Sequence, residues 1–161
     1  MAKPKTRGRN VLFRLYILGQ LTNDLFDQSM ARRKLNPNDF AVQSAIRAFQ
    51  PITPSRLSTL LGTPPTTLSS QLARLEQRKQ IKRRRNPDDG RSSLIELTKL
   101  GEKNVVAALP ALRGAISVVA EHLDYSLEEL DLALDRLEDA LRAAVSRPDE
   151  VASRPSARRR T

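Results

Sequence analysis

Residues 57–102 read LSTLLGTPPTTLSSQLARLEQRKQIKRRRNPDDGRSSLIELTKLGE, and the order of signals in this stretch decides the fold. Leu57, Leu60 and Leu61 form one helical stripe that stops at Gly62, a residue suited to a left-handed helix end. Thr63 and Pro64 open a second helix at once, carrying Leu68, Leu72 and Leu75 at spacings of four and three. Two short amphipathic helices across a tight Gly-Thr turn make a helix-turn-helix. After Lys79 the period changes from helical to alternating: Ile81 to Arg85, a polar turn at Asn86-Pro87-Asp88-Asp89-Gly90, then Ser93, Ile95 and Leu97. That pattern is a two-stranded hairpin. A hairpin directly after a helix-turn-helix is the wing of a winged helix.

The flanking sequence completes the lobe. Asn36 and Pro37 give a cap and first-turn signal for a helix through Phe40, Val42, Ala45, Ile46 and Phe49, which Pro51 stops. Thr53 and Pro54 repeat the signal for the helix of Leu57, and Ile52 is placed to supply a third short strand. Farther out, residues 10 to about 34 carry two apolar stripes, Val11, Leu15, Leu18 and Leu25 on one and Phe13, Ile17 and Leu21 on the other, which implies two buried contacts. Thr98 caps a long helix with Leu109, Leu112, Ile116, Val119 and Leu123, and Pro110 inside it is expected to cause a kink. Ser126 with Glu129 forms a capping box, after which Leu127, Leu130, Leu134, Leu137 and Leu141 make another stripe.

The expected fold class is therefore mostly α (α+β). A winged helix-turn-helix DNA-binding lobe occupies residues 35–98, and residues 10–34 and 99–145 form a helical dimerisation region. Val11, Leu15, Leu18, Leu123, Leu127, Leu130, Leu134, Leu137 and Leu141 are the candidate interface with a second copy of the chain. Residues 1–9 and 146–161, rich in Pro, Arg and Ser, are expected to be disordered basic tails.

Composition narrows the function. The 161 residues carry a net charge of +10, yet residues 121–139 hold eight acids and one base. That segment is −7, so the remainder is +17, and a strongly basic body with one acidic segment points its positive surface at a polyanion such as nucleic acid. The absence of Cys excludes a disulfide framework and a thiolate metal site, and fits the cytoplasm. His122 is the only histidine, so no zinc site is expected, and no cofactor is implied. Without a Gly-rich phosphate loop or a G-x-S-x-G turn, the enzyme reading lacks both nucleophile and base. The acids of 121–139 fall mostly between the Leu positions, as on a solvated face. No apolar run approaches the length of a membrane span, and no basic helix carries opposing aromatic anchors, so no membrane partner is expected.

The residues of the second helix that alternate with its Leu stripe are Pro65, Thr66, Thr67, Ser69, Ser70, Gln71 and Arg74. Short polar groups with one Arg suit entry into a major groove, where an ordinary solvated face would carry Glu and Lys pairs. On the hairpin, Lys82, Arg83, Arg84, Arg85 and Arg91 place two or three guanidinium groups along one edge, fit to follow phosphates or a minor groove. Arg83 and Arg85 also have a structural reading, pairing with acids beneath the wing. The chief alternative is an architectural protein that coats DNA with little sequence preference; the basic charge favours it, whereas the dimer stripes and defined recognition helix favour a specific regulator.

These pieces together resemble the MarR family of bacterial transcriptional regulators. The resemblance is carried by Leu57 to Gly62, the Leu68, Leu72, Leu75 spacing, the Asp89-Gly90-Arg91 wing tip and Leu97-Thr98-x-x-Gly101. It implies a triangular homodimer whose first and last helices interlock, two lobes reading double-stranded DNA at a pseudo-palindrome, and often a small anionic aromatic ligand that relieves repression. Tyr16 on the first helix is the one pocket residue it suggests. It further implies that Arg91 enters the minor groove and that Asp89 orients it. The chain departs from the family pattern at Lys79 and Gln80, where a Gly and an apolar residue are usual, so the second helix is expected to end tighter or one residue longer. The tandem Pro64-Pro65 is a second departure, tolerable because first-turn N–H groups have no intrahelical partner to lose.

Overall fold

The computed structural model describes residues 10–31 and 36–153, with side chains through residue 150. The tail of residues 1–9, the stretch 32–34 at the end of the first expected helix, and residues 154–161 lie outside the described residues. Among the described residues, seven helices and two strands follow in the order α1 (Val11–Met30), α2 (Pro37–Phe49), α3 (Pro54–Leu61), α4 (Pro65–Gln77), β1 (Ile81–Arg85), β2 (Ser93–Leu97), α5 (Lys99–Ala120), α6 (Leu127–Val145) and α7 (Pro148–Ser153). They fall into two compact units, Met1–Ile116 and Ser117–Thr161.

Helix starts in the first unit are set by side-chain caps. Asn36 accepts from the N–H groups of Asn38 and Asp39 at 2.9 and 3.2 Å, with Pro37 at the first helical position. Thr53 does the same for Arg56 ahead of α3. Gly62 ends α3 in the left-handed conformation at φ 59°, and the Ser58 hydroxyl donates to the Thr63 carbonyl at 2.6 Å, which closes the turn of the helix-turn-helix. α4 begins one residue later than the Thr63-Pro64 signal suggests. Pro64 is its N-cap, and since proline has no side-chain acceptor, no side chain caps this helix.

The sheet is antiparallel, with Ile81 opposite Leu97, Arg83 opposite Ile95 and Arg85 opposite Ser93. Ile52 adds a bridge on the far side of β2 through two backbone hydrogen bonds with Ile95, at 3.2 and 2.8 Å. Ile46, Leu57, Leu72, Leu75, Ile95 and Val105 are buried in one core that joins α2, α3, α4, the sheet and the start of α5. Burial of such aliphatic side chains at roughly 1.5–3 kcal/mol each is the main force holding the helix-turn-helix to its wing. α1 joins this unit near its end, where Met30 is buried and Phe26 lies 5.4 Å from Phe40, ring centre to ring centre.

α5 opens on Thr98, whose hydroxyl accepts from the Gly101 N–H at 3.2 Å. The helix passes through Pro110 without interruption. By length and composition it meets the requirement for crossing a bilayer, contrary to the expectation that no apolar stretch approaches that length. Its first turns, however, bury Gly101, Val105 and Ala108, which fits a core helix with one apolar face. In the second unit, the Ser126–Glu129 capping box forms in both directions, at 3.1 and 2.8 Å. α6 has no buried residue at all. Residues 148–153, expected to be disordered, form α7, which starts on Pro148 and carries Asp149 and Glu150 in its first turn, where acids favour a helix.

Candidate nucleic-acid interface

Leu68, Leu72 and Leu75 anchor α4 in the core, and the opposite side of the helix faces outward. Pro65, Thr66, Thr67, Ser69 and Ser70 are exposed there as the sequence suggests. The Ser70 hydroxyl donates to the Thr66 carbonyl at 3.2 Å, and without a side-chain cap the first-turn N–H groups have no intrahelical partner.

Gln71 is a correction. It lies three residues after Leu68 and four before Leu75, on the buried stripe, and is only 9% exposed, so its helical position overrides its polarity. Arg74 is exposed but not free. It bonds one oxygen of Asp39 at 3.1 Å, while Arg78, one turn on, bonds the other at 2.9 Å. Asp39, in the first turn of α2, is 2% exposed. Neither Asp39 nor Arg78 was singled out in the sequence. The spacing of Arg74 and Arg78 by four was the available signal, because it puts two guanidinium groups on one side of the helix.

The end of α4 also differs from expectation. Lys79 takes the left-handed conformation at φ 58°, the role a Gly would fill. The Gln80 N–H bonds the Leu75 carbonyl at 2.9 Å and the Lys79 N–H bonds Glu76 at 2.8 Å, a complete Schellman motif. The helix therefore ends in the motif that a Gly would give, with Lys79 holding the glycine's backbone conformation. Thr98 completes the joint, with its hydroxyl 2.7 Å from the Lys79 carbonyl oxygen. Gln80, where an apolar residue is usual, receives a hydrogen bond from buried Gln43 at 3.4 Å.

Strand alternation divides the wing's cations. Lys82 and Arg84 share a face with Glu96, at 3.1 and 2.7 Å. Arg84 and then Lys82 hold the Glu96 carboxyl below its ordinary value of 4.5, against the effect of burial. Arg83 reaches back to Glu76 on α4 at 3.0 Å, which bears out its structural reading and ties wing to recognition helix. Arg85 does not pair with an acid; its guanidinium lies over the turn at Gly90, 3.1 Å from where a Cβ would stand. Asn86 accepts from the Asp88 N–H at 3.1 Å, and Asp89 accepts from the Arg91 N–H at 3.0 Å. Asp89 thus shapes the turn through the backbone and does not grip the Arg91 guanidinium, which is the correction to what the resemblance implied. Among the described residues, Arg85 and Arg91 have no carboxylate partner, so the positive charge available at the wing is concentrated toward its tip.

The remaining candidates are quickly placed. Val11, Leu18, Leu127, Leu134 and Leu141 are exposed, and Leu15, Leu123, Leu130 and Leu137 are half-buried. Tyr16 is 63% exposed and is not among the residues that line the cleft between α2 and α5. That cleft, of about 390 Å³, is lined by Ser44, Arg47, Ala48, Glu102, Val105 and Leu109. On its rim, Glu102 accepts from Arg47 at 3.1 Å and from Gln50 at 3.0 Å, while Gln50 accepts from the Leu97 N–H at 2.8 Å. Among the described residues, the His122 ring bonds the Val118 carbonyl, and no three His or acidic groups are placed to hold a metal ion.

The profile of the MarR family matches residues 35–93, the span from the start of α2 to the first residue of β2. An uncharacterized HTH-type transcriptional regulator of Bacillus cereus is 30% identical over 108 residues, covering 67% of this chain and 71% of its own length. The chain belongs to the MarR family. MarR-family proteins are DNA-binding transcriptional regulators and not enzymes. The fold agrees with solved MarR-family structures. A mutant of E. coli MarR complexed with operator DNA has a TM-score of 0.70 at 23% identity, covering 81% of this chain and 93% of that one. Bordetella bronchiseptica BpsR, studied for regulation of its DNA binding by 6-hydroxynicotinic acid, has a TM-score of 0.72 at 21% identity, covering 85% and 98%.

Proposed function

We propose that this MarR-family protein is a cytoplasmic repressor that binds a pseudo-palindromic operator as a homodimer. The observation that carries the reading is one lobe presenting two complementary elements: the exposed polar face of Pro65, Thr66, Thr67, Ser69 and Ser70, and a hydrogen-bonded turn carrying Arg91. Short hydroxyl side chains on an uncapped helix start suit base edges and phosphates in a major groove, and Arg85 and Arg91 suit a phosphate or the narrow minor groove beside it. The second copy accounts for α6, whose stripe of Leu127, Leu134 and Leu141 is left uncovered in a single chain. Two lobes held by one dimer would read half-sites one helical turn, or a multiple of it, apart.

Release by a small anionic aromatic compound belongs to the same reading. The cleft between α2 and α5 supports it, with Val105 and Leu109 as apolar lining, Arg47 bonded to Glu102 at the rim, and, among the described residues, no hydrogen-bond partner for the buried Ser44 hydroxyl. The relation to BpsR, whose DNA binding 6-hydroxynicotinic acid regulates, also supports it.

Competition binding tests the main claim. A regulator prefers a duplex selected from its own promoter region by at least ~10³ over random DNA at matched salt. Equal binding to both would replace the regulator with an architectural DNA-coating protein. Light scattering at micromolar concentration tests the dimer, and a monomer mass would remove it.

A further inference from the structure

We propose that Asp39 is a specificity-determining positioning residue, which holds Arg74 and Arg78 in fixed directions and keeps one positive charge of the recognition helix from acting on the DNA backbone. The proposal rests on the reading that α4 meets DNA. Asp39 comes from α2, outside the elements expected to touch DNA, yet each of its two carboxylate oxygens serves a different arginine of α4, at 3.1 and 2.9 Å. Its side chain is 3% exposed, whereas those of Arg74 and Arg78 are 48% and 57% exposed. The anion is hidden and the two cations are half in solvent, so what the helix presents is a pair of anchored guanidinium groups with donors left over. A guanidinium has five N–H donors in a rigid fork, and anchoring one edge fixes the direction of the others.

Helix capping does not explain the carboxylate. Asn36 already accepts from the N–H groups of Asn38 and Asp39, so α2 is capped without the Asp39 side chain. Stability alone explains it poorly, because taking a carboxylate out of water offsets much of what its ion pairs contribute. The arrangement does have a consequence for DNA. Two free arginines on a recognition helix would bind any phosphate, and such contacts strengthen binding to all sequences alike. One buried carboxylate reduces the pair from +2 to +1 and turns the remaining donors toward defined positions. Asp39 acts through Arg74 and Arg78, without contact to DNA.

The test uses the full-length protein and two duplexes, one selected by the wild-type protein from a random-sequence pool and one a scramble of it. D39N keeps the shape and removes the charge. It is expected to bind the scramble more tightly and to lower the preference for the selected duplex at least ~10-fold. Its salt dependence should steepen: one charge released per protomer is two per dimer, a slope change of about 1.8 in log K against log salt. In an R74A/R78A background, D39N should change nothing further. A destabilised lobe would instead weaken binding to both duplexes. R74K, at an exposed site, keeps the charge and loses the fork, so it should lower the preference while leaving the slope unchanged; it serves equally if D39N does not fold. Unchanged preference in R74K, or a folded D39N that binds the scramble no better than wild type, overturns the proposal. A wild-type protein that does not distinguish the two duplexes overturns the underlying DNA reading instead.

Discussion

Replacing Gly101 by Ala should damage the joint between wing and recognition helix. A Cβ at this position would stand 2.1 Å from the Gln80 carbonyl oxygen, 3.1 Å from the Gln80 carbonyl carbon and 3.1 Å from a Leu97 methyl. Ordinary contact begins near 3.4 Å, so the first turn of α5 must retreat from the end of α4 by more than an ångström. The neighbour is backbone and cannot rotate away. The retreat pulls on three bonds at Thr98: its N–H to the Gln80 carbonyl at 3.0 Å, and its hydroxyl to Lys79 at 2.7 Å and to Gln80 at 3.2 Å. Overpacking typically costs ~1–3 kcal/mol, and weakening one or two hydrogen bonds adds about 1 kcal/mol. The expected loss is therefore about 2–4 kcal/mol, read as a lower urea midpoint at fixed protein concentration with an unchanged slope. A loss below ~0.5 kcal/mol, the range of neutral surface changes, would refute the reasoning and show that the joint yields freely.

At Lys79 the same logic has the opposite sign: Lys79→Gly removes the cost of a side chain in the left-handed region and should stabilise the fold by about 1 kcal/mol, checked in the same urea experiment. Arg91→Ala should weaken binding to selected and scrambled duplexes alike and flatten the salt slope by roughly 1.8, one phosphate per protomer, in a filter-binding salt series. Leu130→Asp with Leu134→Asp should shift the mass in light scattering toward monomer and weaken DNA binding with α4 untouched. Glu96 should titrate below 4.5 in carboxyl-detected NMR, so its contribution to stability is full above that value and fades as pH falls through its lowered folded-state midpoint; in Arg84→Gln that midpoint should move up.

Most of the fold was legible because its signals are local. Asn36-Pro37, Thr53-Pro54, Gly62 and the Ser126–Glu129 box each fix a helix end with one or two residues, and the structure forms every one. The exposed face of α4 was legible only where polarity and periodicity agree. Thr66, Thr67, Ser69 and Ser70 satisfy both, while Gln71 is polar at a buried register and went astray. Ion pairs were less accessible. Glu76 and Arg83 are seven residues apart, but Asp39 and Arg74 are thirty-five apart, and no spacing rule reaches across that distance. Lys79 marks a different limit: the departure from Gly was visible, whereas the retention of its backbone conformation depends on the bonds that Gln80 and Thr98 make around it.

The placement of β1 bears on how the protein behaves at high concentration. β2 is paired on both sides, by β1 and by the Ile52 bridge, which leaves β1 as the outer strand of the sheet. An outer strand offers a row of backbone donors and acceptors on which another molecule's strand can assemble, the first step toward aggregation. Four of the five residues of β1 are Lys or Arg, and stacking it against an identical strand would bring like charges within a few ångströms of one another. These cations, three of them tied to Glu76 and Glu96, thus help keep the wing's open edge from joining another wing. Variants that neutralise Lys82 to Arg85 remove that protection, and they should be compared for solubility before any other effect is credited to the lost charge.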